Sequence, residues 1–303
     1  MKMLCIDGGG IRGVFPIKIL AAIERELGDP LVDFFDVIAG TSTGAVIAAS
    51  VTLKRDMNEL LNKYKKYGEM IFKRQAKLGI FKSVYSDKYL RHFLKESFGQ
   101  LTLNEIRKPL ILPSVDVTHG KPYVFRSNYG NYDRKDLTIP LWDAVLSSCS
   151  APLYFPPNNI KNRYLSVDGG LWANNPSLVC VTEGLRFFKK PIEDIRIFSL
   201  GTGEQNIDFS IEKDMAWGMT KWLPIQFTSM KVTPKLLDLA LNLSSETVTY
   251  QCKTLLGENY LRINKELGGE VPFDDVSSIN QLLELADQAY KEERDKIISF
   301  IKK

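Results

Sequence analysis

Three short stretches of the chain carry residue types whose spacing could support chemistry. In "VIAGTSTGAV" (37–46) Ser42 stands between Gly40 and Gly44 in the pattern G-x-S-x-G, after an apolar run and before a small, apolar one. That pattern presents a serine on a strained strand-to-helix turn, where side chains in place of the glycines would collide. In "DGGGIRG" (7–13) Gly8, Gly9 and Gly10 are followed by Arg12 and Gly13. Consecutive glycines at a helix start can aim bare N–H groups at a developing negative charge. In "VDGG" (167–170) Asp168 precedes Gly169 and Gly170, which let the chain turn and leave the carboxylate in a crevice. A nucleophile, an oxyanion site and a carboxylate together describe acyl transfer.

Composition restricts the proton acceptor for Ser42, because the chain has only two histidines. His92 lies in a lysine- and arginine-rich helical stretch and His119 in the turn "DVTHGKP", neither with an obvious acidic orienter in a site context. A Ser-His-Asp triad would have to run through His119. Asp168 is the better candidate, so a two-residue dyad is expected. An exposed aspartate with a pKa of about 4 is a poor base for an alcohol; the dyad therefore requires a partly desolvated Asp168 bonded to the serine. Transition-state stabilisation would then come mainly from the glycine amides. The spacing from Gly8 to Gly13 also fits a dinucleotide fingerprint, but that reading wants an acidic residue at the end of the second strand, where the serine turn stands instead. No G-K-[ST] follows the glycines, which excludes a Walker-type phosphate loop.

The elements that must position these residues read as an α/β fold. "MLCI" (3–6) and "DVIAG" (36–40) are strand candidates separated by a helical pattern that stops near Gly28 and Pro30. A second helix follows the serine turn through "GAVIAASVTL". Adjacent parallel strands would bring both glycine turns to the carboxyl end of one sheet, the usual place for an α/β site. Amphipathic helices are expected over 56–72 and 88–98, the latter capped from Ser86, and strands over 109–117, 121–127 and 196–203. "LWDAVLSSCSAPLYFPP" (141–157) reads as a short helix broken by prolines, and "YLSVDGGLWANNP" (164–176) as a strand, a glycine turn and a new helix. A long helix capped by Ser277 or Ser278 closes the chain, and 204–235 is the least regular region.

Composition bounds the function classes. The 303 residues, 44% hydrophobic and 25% charged, describe an ordinary folded protein, read here as one elaborated domain. The four cysteines are scattered, with no pair at metal-site spacing, so reduced thiols, no metal and a cytoplasmic chain are expected. No apolar run reaches eighteen residues and the N-terminus does not read as a signal peptide. A net charge of +4 without basic blocks gives no nucleic-acid signature.

With "DGGGIRG", "GTSTG" and "DGG" in that order, the chain resembles the patatin-like phospholipases. "SSCSAPLYFPP", "DGGLWANNP" and "FSLGTG" extend the resemblance over about residues 3–203. It implies a three-layer α/β/α fold around a central, mostly parallel sheet, with a catalytic core at 1–203 and a C-terminal helical portion at 204–303 on the same domain. It also implies Ser42 as nucleophile, Asp168 as general base, and Gly8, Gly9, Gly10 and Arg12 as the oxyanion region, without a metal or organic cofactor. The expected reaction is hydrolysis of membrane phospholipid acyl esters through an acyl-enzyme. The stretch 215–241, with Met215, Trp217, Met219, Trp222, Leu223, Ile225 and Phe227, reads either as a membrane-contacting lid or as a cover on the core. The chain also resembles patatin-like effectors of bacterial antiviral systems, which implies a cyclic oligonucleotide activator and peripheral contact with the inner membrane. The oligomeric state is open, a homodimer and an activation-dependent oligomer both being considered. A catalytically idle lipid-binding or storage protein of the same fold is the competing class.

Overall fold

The structure is a computed structural model and describes residues 1–76, 81–130, 134–204, 225–226, 231–232 and 235–303. Strand β1 (Lys2–Ile6), helix α1 (Val14–Leu27), strand β2 (Val37–Gly40) and helix α2 (Thr43–Thr52) form the opening unit. β1 and β2 are direct parallel neighbours, in register from Met3 opposite Val37 to Ile6 opposite Gly40. Both glycine turns therefore leave the sheet side by side, as the pattern predicts. α1 stops where Gly28 adopts a left-handed φ of 76° and its N–H closes on the Glu24 carbonyl.

Helices α3 (Met57–Ile71) and α4 (Lys88–Phe98) follow, then β3 (Leu110–Asp116), β4 (Lys121–Arg126), α5 (Leu141–Cys149), β5 (Asn158–Ile160) and β6 (Tyr164–Asp168). After the single turn α6 (Gly170–Ala173) come α7 (Ser177–Arg186) and β7 (Arg196–Leu200). A small hairpin, β8 (Ile225–Gln226) with β9 (Lys231–Val232), precedes α8 (Lys235–Leu256), β10 (Tyr260–Ile263) and α9 (Ile279–Lys302). The main sheet runs in the order β10-β7-β1-β2-β3-β6-β5, with β4 on the other edge of β3. It is parallel from β10 to β3 and antiparallel beyond.

Period-two alternation along the strands divides the core into two layers. Leu4, Ile6 and Ile38 join one cluster with Ile17, Ile47 and Leu282 from α1, α2 and α9. Met3, Cys5, Val37 and Ala39 join the other with Cys180 and Cys252 from α7 and α8. The last third, expected to be helical, also supplies β10, whose four residues "YLRI" with a central arginine are too short and mixed to read as a strand. Ser278 precedes α9 without a side-chain cap; Asp275 accepts the Ser277 N–H instead. The stretch 215–241 lies outside the described residues except for β8, β9 and the start of α8.

One detail of the sheet brings distant parts of the chain together. β4 pairs with Ile111 to Asp116 along one edge of β3. On the opposite edge β2 pairs only with Leu110 and Ile111, and β6 only with Ser114 to Asp116. The two strands share that edge and run toward each other, so their ends meet around Pro113. β2 leaves into the serine turn there, and β6 arrives with Asp168 as its last residue.

Candidate active site

The serine turn is strained at its centre. Ser42 has φ 56° and ψ −124°, a region that an L-residue enters at a cost of about 1–3 kcal/mol. The surroundings hold it there. The Ser42 N–H donates to Ser148 Oγ (2.9 Å) and the Cys149 thiol donates to the Ser42 carbonyl (3.0 Å). Thr41 Oγ1 donates to the Ala173 carbonyl (2.6 Å), and Gly44 N–H closes a turn onto Thr41 O (2.7 Å). The glycines matter by contact: a Cβ on Gly40 would lie 1.9 Å from the Gly44 carbonyl oxygen, and one on Gly44 would lie 2.2 Å from that of Ile6.

Asp168 is buried and shares a cleft with Ser42, whose side chain favours its ionised form. Its Oδ1 accepts the Gly170 N–H (2.7 Å). Burial pushes the Asp168 carboxyl up to about 6, against the opposing pull of the Ser42 side chain and the Gly170 N–H. This is the partly desolvated aspartate that a dyad requires, ionised at neutral pH yet a stronger base than an exposed carboxylate. Gly169 lets the turn pass close over β3, since a Cβ there would be 2.3 Å from the Pro113 carbonyl oxygen.

The glycine loop lies against the serine: a Cβ on Gly8 would come within 3.1 Å of Ser42 Cβ. The N–H of Gly8 is already taken by the Asn174 carbonyl (3.1 Å), so Gly8 serves close approach rather than anion binding. The N–H groups of Gly9 and Gly10 have no partner among the described residues. Arg12, read as either an oxyanion residue or a surface arginine, is buried, and its Nε faces the Gly9 carbonyl (3.4 Å), which also accepts the Arg12 N–H (3.1 Å). In a trans peptide the C=O and N–H point oppositely. Anchoring the Gly9 oxygen toward Arg12 thus turns the Gly10 N–H away from it.

Gly8, Gly9, Gly10, Arg12, Ser42 and Asp168 all line one cleft of about 960 Å³, counting the solvent at its mouth. Its walls are apolar, with Val46, Tyr64, Ile71, Phe72, Leu90, Phe93 and Phe155, and Leu241 of α8 and Phe273 close it from the C-terminal side. Gly13 and Gly40 do not line it; Gly13 instead admits Thr43, whose Oγ1 would lie 2.3 Å from a Cβ there. His119 has an acidic neighbour outside the cleft, its Nδ1 2.7 Å from Asp116 Oδ2. Its side chain is 59% exposed and neither it nor His92 lines the cleft. Among the described residues no cluster of three or more His, Cys, Asp or Glu side chains has metal-site geometry.

Several residues that hold the site were not singled out from sequence. Asp7, just before the glycines, is buried against Arg262 of β10 in a two-pronged ion pair (2.7 and 3.1 Å). Ser245 of α8 donates to the same carboxylate (2.6 Å). Thr202 Oγ1 donates to the Gly8 carbonyl (2.9 Å), and Ile11 N–H to the Phe273 carbonyl (2.8 Å). A lone arginine in an apolar strand and an aspartate closing another are the signals that would have suggested the pair.

A serine on a strained strand-to-helix turn, a buried carboxylate in the same cleft and free amides beside both define the class of α/β acyl-transfer folds. Sequence comparison narrows it. Residues 4–181 match the family model for patatin-like phospholipase. Patatin-like protein 2 of Arabidopsis thaliana is 30% identical, with 93% of this chain and 80% of that protein aligned. A cGAMP-activated phospholipase of Escherichia coli (strain TW11681) is 31% identical over 74% of this chain and 70% of its own length. A protein of Solanum tuberosum named probable inactive patatin-3-Kuras 1 is 27% identical over 93% of this chain and 84% of its own. The chain belongs to the patatin-like phospholipases, a family of serine acyl hydrolases.

Proposed function

We propose that the protein hydrolyses fatty acyl esters of membrane phospholipids with Ser42 as nucleophile and Asp168 as its base. The observation that carries this is the buried Asp168 carboxylate in the same apolar cleft as Ser42 on its strained turn, beside two unpartnered amides. Asp168 takes the hydroxyl proton as Ser42 Oγ attacks the ester carbonyl carbon. The carbonyl oxygen gains negative charge and is met by the Gly9 and Gly10 N–H groups. Collapse expels the lysophospholipid alkoxide, which takes the proton from Asp168, and leaves an acyl-Ser42 ester. Water, deprotonated by Asp168, then attacks that ester; collapse releases the fatty acid and the Ser42 oxygen, which takes the proton back from Asp168. The apolar walls suit an acyl chain, and the two portions 1–203 and 204–303 act as one domain, because the second holds the glycine loop of the first.

The test is fatty-acid release from phospholipid vesicles by the wild-type protein and by Ser42→Ala. Wild-type release with loss of about four orders of magnitude in the variant is expected, and full activity in Ser42→Ala would sink the mechanism. The name of the E. coli relative, a cGAMP-activated phospholipase, supports a finer reading in which a cyclic oligonucleotide switches the enzyme on, and with it we infer an effector that is cytoplasmic and acts at the inner membrane. The same assay with a panel of cyclic oligonucleotides tests it, and unchanged rates across the panel would remove it. The potato relative's name favours the second reading, an idle lipid-binding protein of this fold. Silence of the wild type under every condition would favour it here.

A further inference from the structure

The gap where β2 and β6 meet on the edge of β3 is bridged by one side chain. Ser148, near the end of α5, is fully buried. Its Oγ accepts the Ser42 N–H (2.9 Å) and donates its own proton to the Pro113 carbonyl (2.6 Å). Pro113 lies in the gap itself, between the residues of β3 that pair with β2 and those that pair with β6. The same Pro113 carbonyl is what Gly169 packs over, one residue after Asp168. A single chain of contacts thus runs from the nucleophile's backbone through Ser148 and Pro113 to the turn that carries the base.

We propose that Ser148 is a positioning residue for the Ser42–Asp168 pair, fixing the strained serine turn against β3 so that the Ser42 hydroxyl meets the carboxylate. A buried N–H must find an acceptor, and at φ 56° the Ser42 N–H has no strand or helix partner to return to. Without the Ser148 hydroxyl the turn relaxes toward an unstrained backbone or admits water, and Ser42 Oγ moves off the line to Asp168. A displacement of about 1 Å at a reacting atom costs on the order of a hundredfold in rate. The neighbouring Cys149 fixes only the carbonyl side of Ser42 and makes no contact with Pro113 among its hydrogen bonds.

This inference rests on the hydrolase reading, and the experiment separates the two. The rate at which an alkyl fluorophosphonate labels Ser42 is measured together with kcat and KM on a soluble p-nitrophenyl ester and with Tm. Ser148→Ala is expected to lower labelling rate and kcat by about ten- to a hundredfold while KM stays within twofold. Ser148→Cys, which keeps the size with a weaker donor and acceptor, is expected to fall between and to carry the test if the alanine variant does not fold. Ser147→Ala is the matched control: that hydroxyl is equally buried but bonds to the Asp143 carbonyl and Asn158. It is expected to lower Tm and leave kcat within twofold. Wild-type kcat in Ser148→Ala, or an equal loss in Ser147→Ala, would overturn the proposal. A wild-type protein that takes no label would overturn the hydrolase reading and this one with it.

Discussion

The serine turn and the glycine loop emerge from neighbouring parallel strands, yet different parts of the chain hold them. The partners of the serine turn lie within the residues that match the family model, among them Ile6, Tyr64, Ser148, Cys149, Pro113 through Ser148, and Ala173. The glycine loop takes Asn174 from that part, but Thr202, Ser245, Arg262 and Phe273 come from beyond it. The nucleophile's geometry is thus internal to the N-terminal two-thirds, whereas the anion-binding geometry depends on the C-terminal third. Leu241 on α8 and Phe273 tie the same third to the cleft wall. A change in how α8 or β10 packs would alter the amides before it touched the serine.

The sharpest test on the serine side is Asp168→Asn, which removes the base while keeping the shape. Hydrolysis of a soluble ester should fall by about three to four orders of magnitude. Stability should move the other way. The folded carboxyl, at about 6, lies above the unfolded value of about 3.9, so the fold binds the proton more tightly. Stability therefore falls as pH rises from about 4 to about 6, and at pH 7 the ionised Asp168 costs the fold up to about 3 kcal/mol. The asparagine variant should recover part of that in urea unfolding at pH 7 and none at pH 3.5; no gain at pH 7 would mean that the carboxyl is less desolvated than its burial implies.

On the glycine-loop side, Arg262→Met leaves Asp7 as an unpaired buried charge and should cost about 3–5 kcal/mol in urea unfolding. In the fraction that stays folded, kcat should drop, because the Gly9 and Gly10 amides lose their anchor at Asp7. An unchanged kcat would break the comparison by showing that β10 does not govern the loop. A smaller effect is the pH profile of the wild type: kcat/KM should fall about tenfold per pH unit below pH 6 and stay level above it. Smallest of all, His119→Ala should stay within twofold in kcat; a loss comparable to that of Asp168→Asn would restore a triad through the exposed His119–Asp116 pair.

Much of this was legible in the residues. Strands β1, β2, β3, β4 and β7 and helices α1 to α4 lie where the apolar pattern puts them, because each is a continuous apolar run or a periodic stretch that ends at a glycine, a proline or a polar turn. Strand β10 was not legible, since a four-residue strand with an inward arginine carries no period and its partner is Asp7 at the other end of the chain. That Asp116 pairs with His119 outside the cleft was decided by side-chain direction across a turn, which is not a property of spacing. Among the glycines, sequence grouped Gly8 with Gly9 and Gly10, and only the Asn174 carbonyl separates them.

By itself the sequence determined the local chemistry: a serine between glycines, an aspartate before glycines and a run of bare amides, each set by residues within a few positions of one another. Tertiary structure decided what those groups are. It placed β2 and β6 end to end on one edge of β3, so that a carboxylate from a distant strand shares a cleft with the serine. It buried that carboxylate, which raised its basicity, and left two amides free by giving the third a partner. Burial and the sharing of a strand edge are relations between segments far apart in the chain, and no short pattern encodes them.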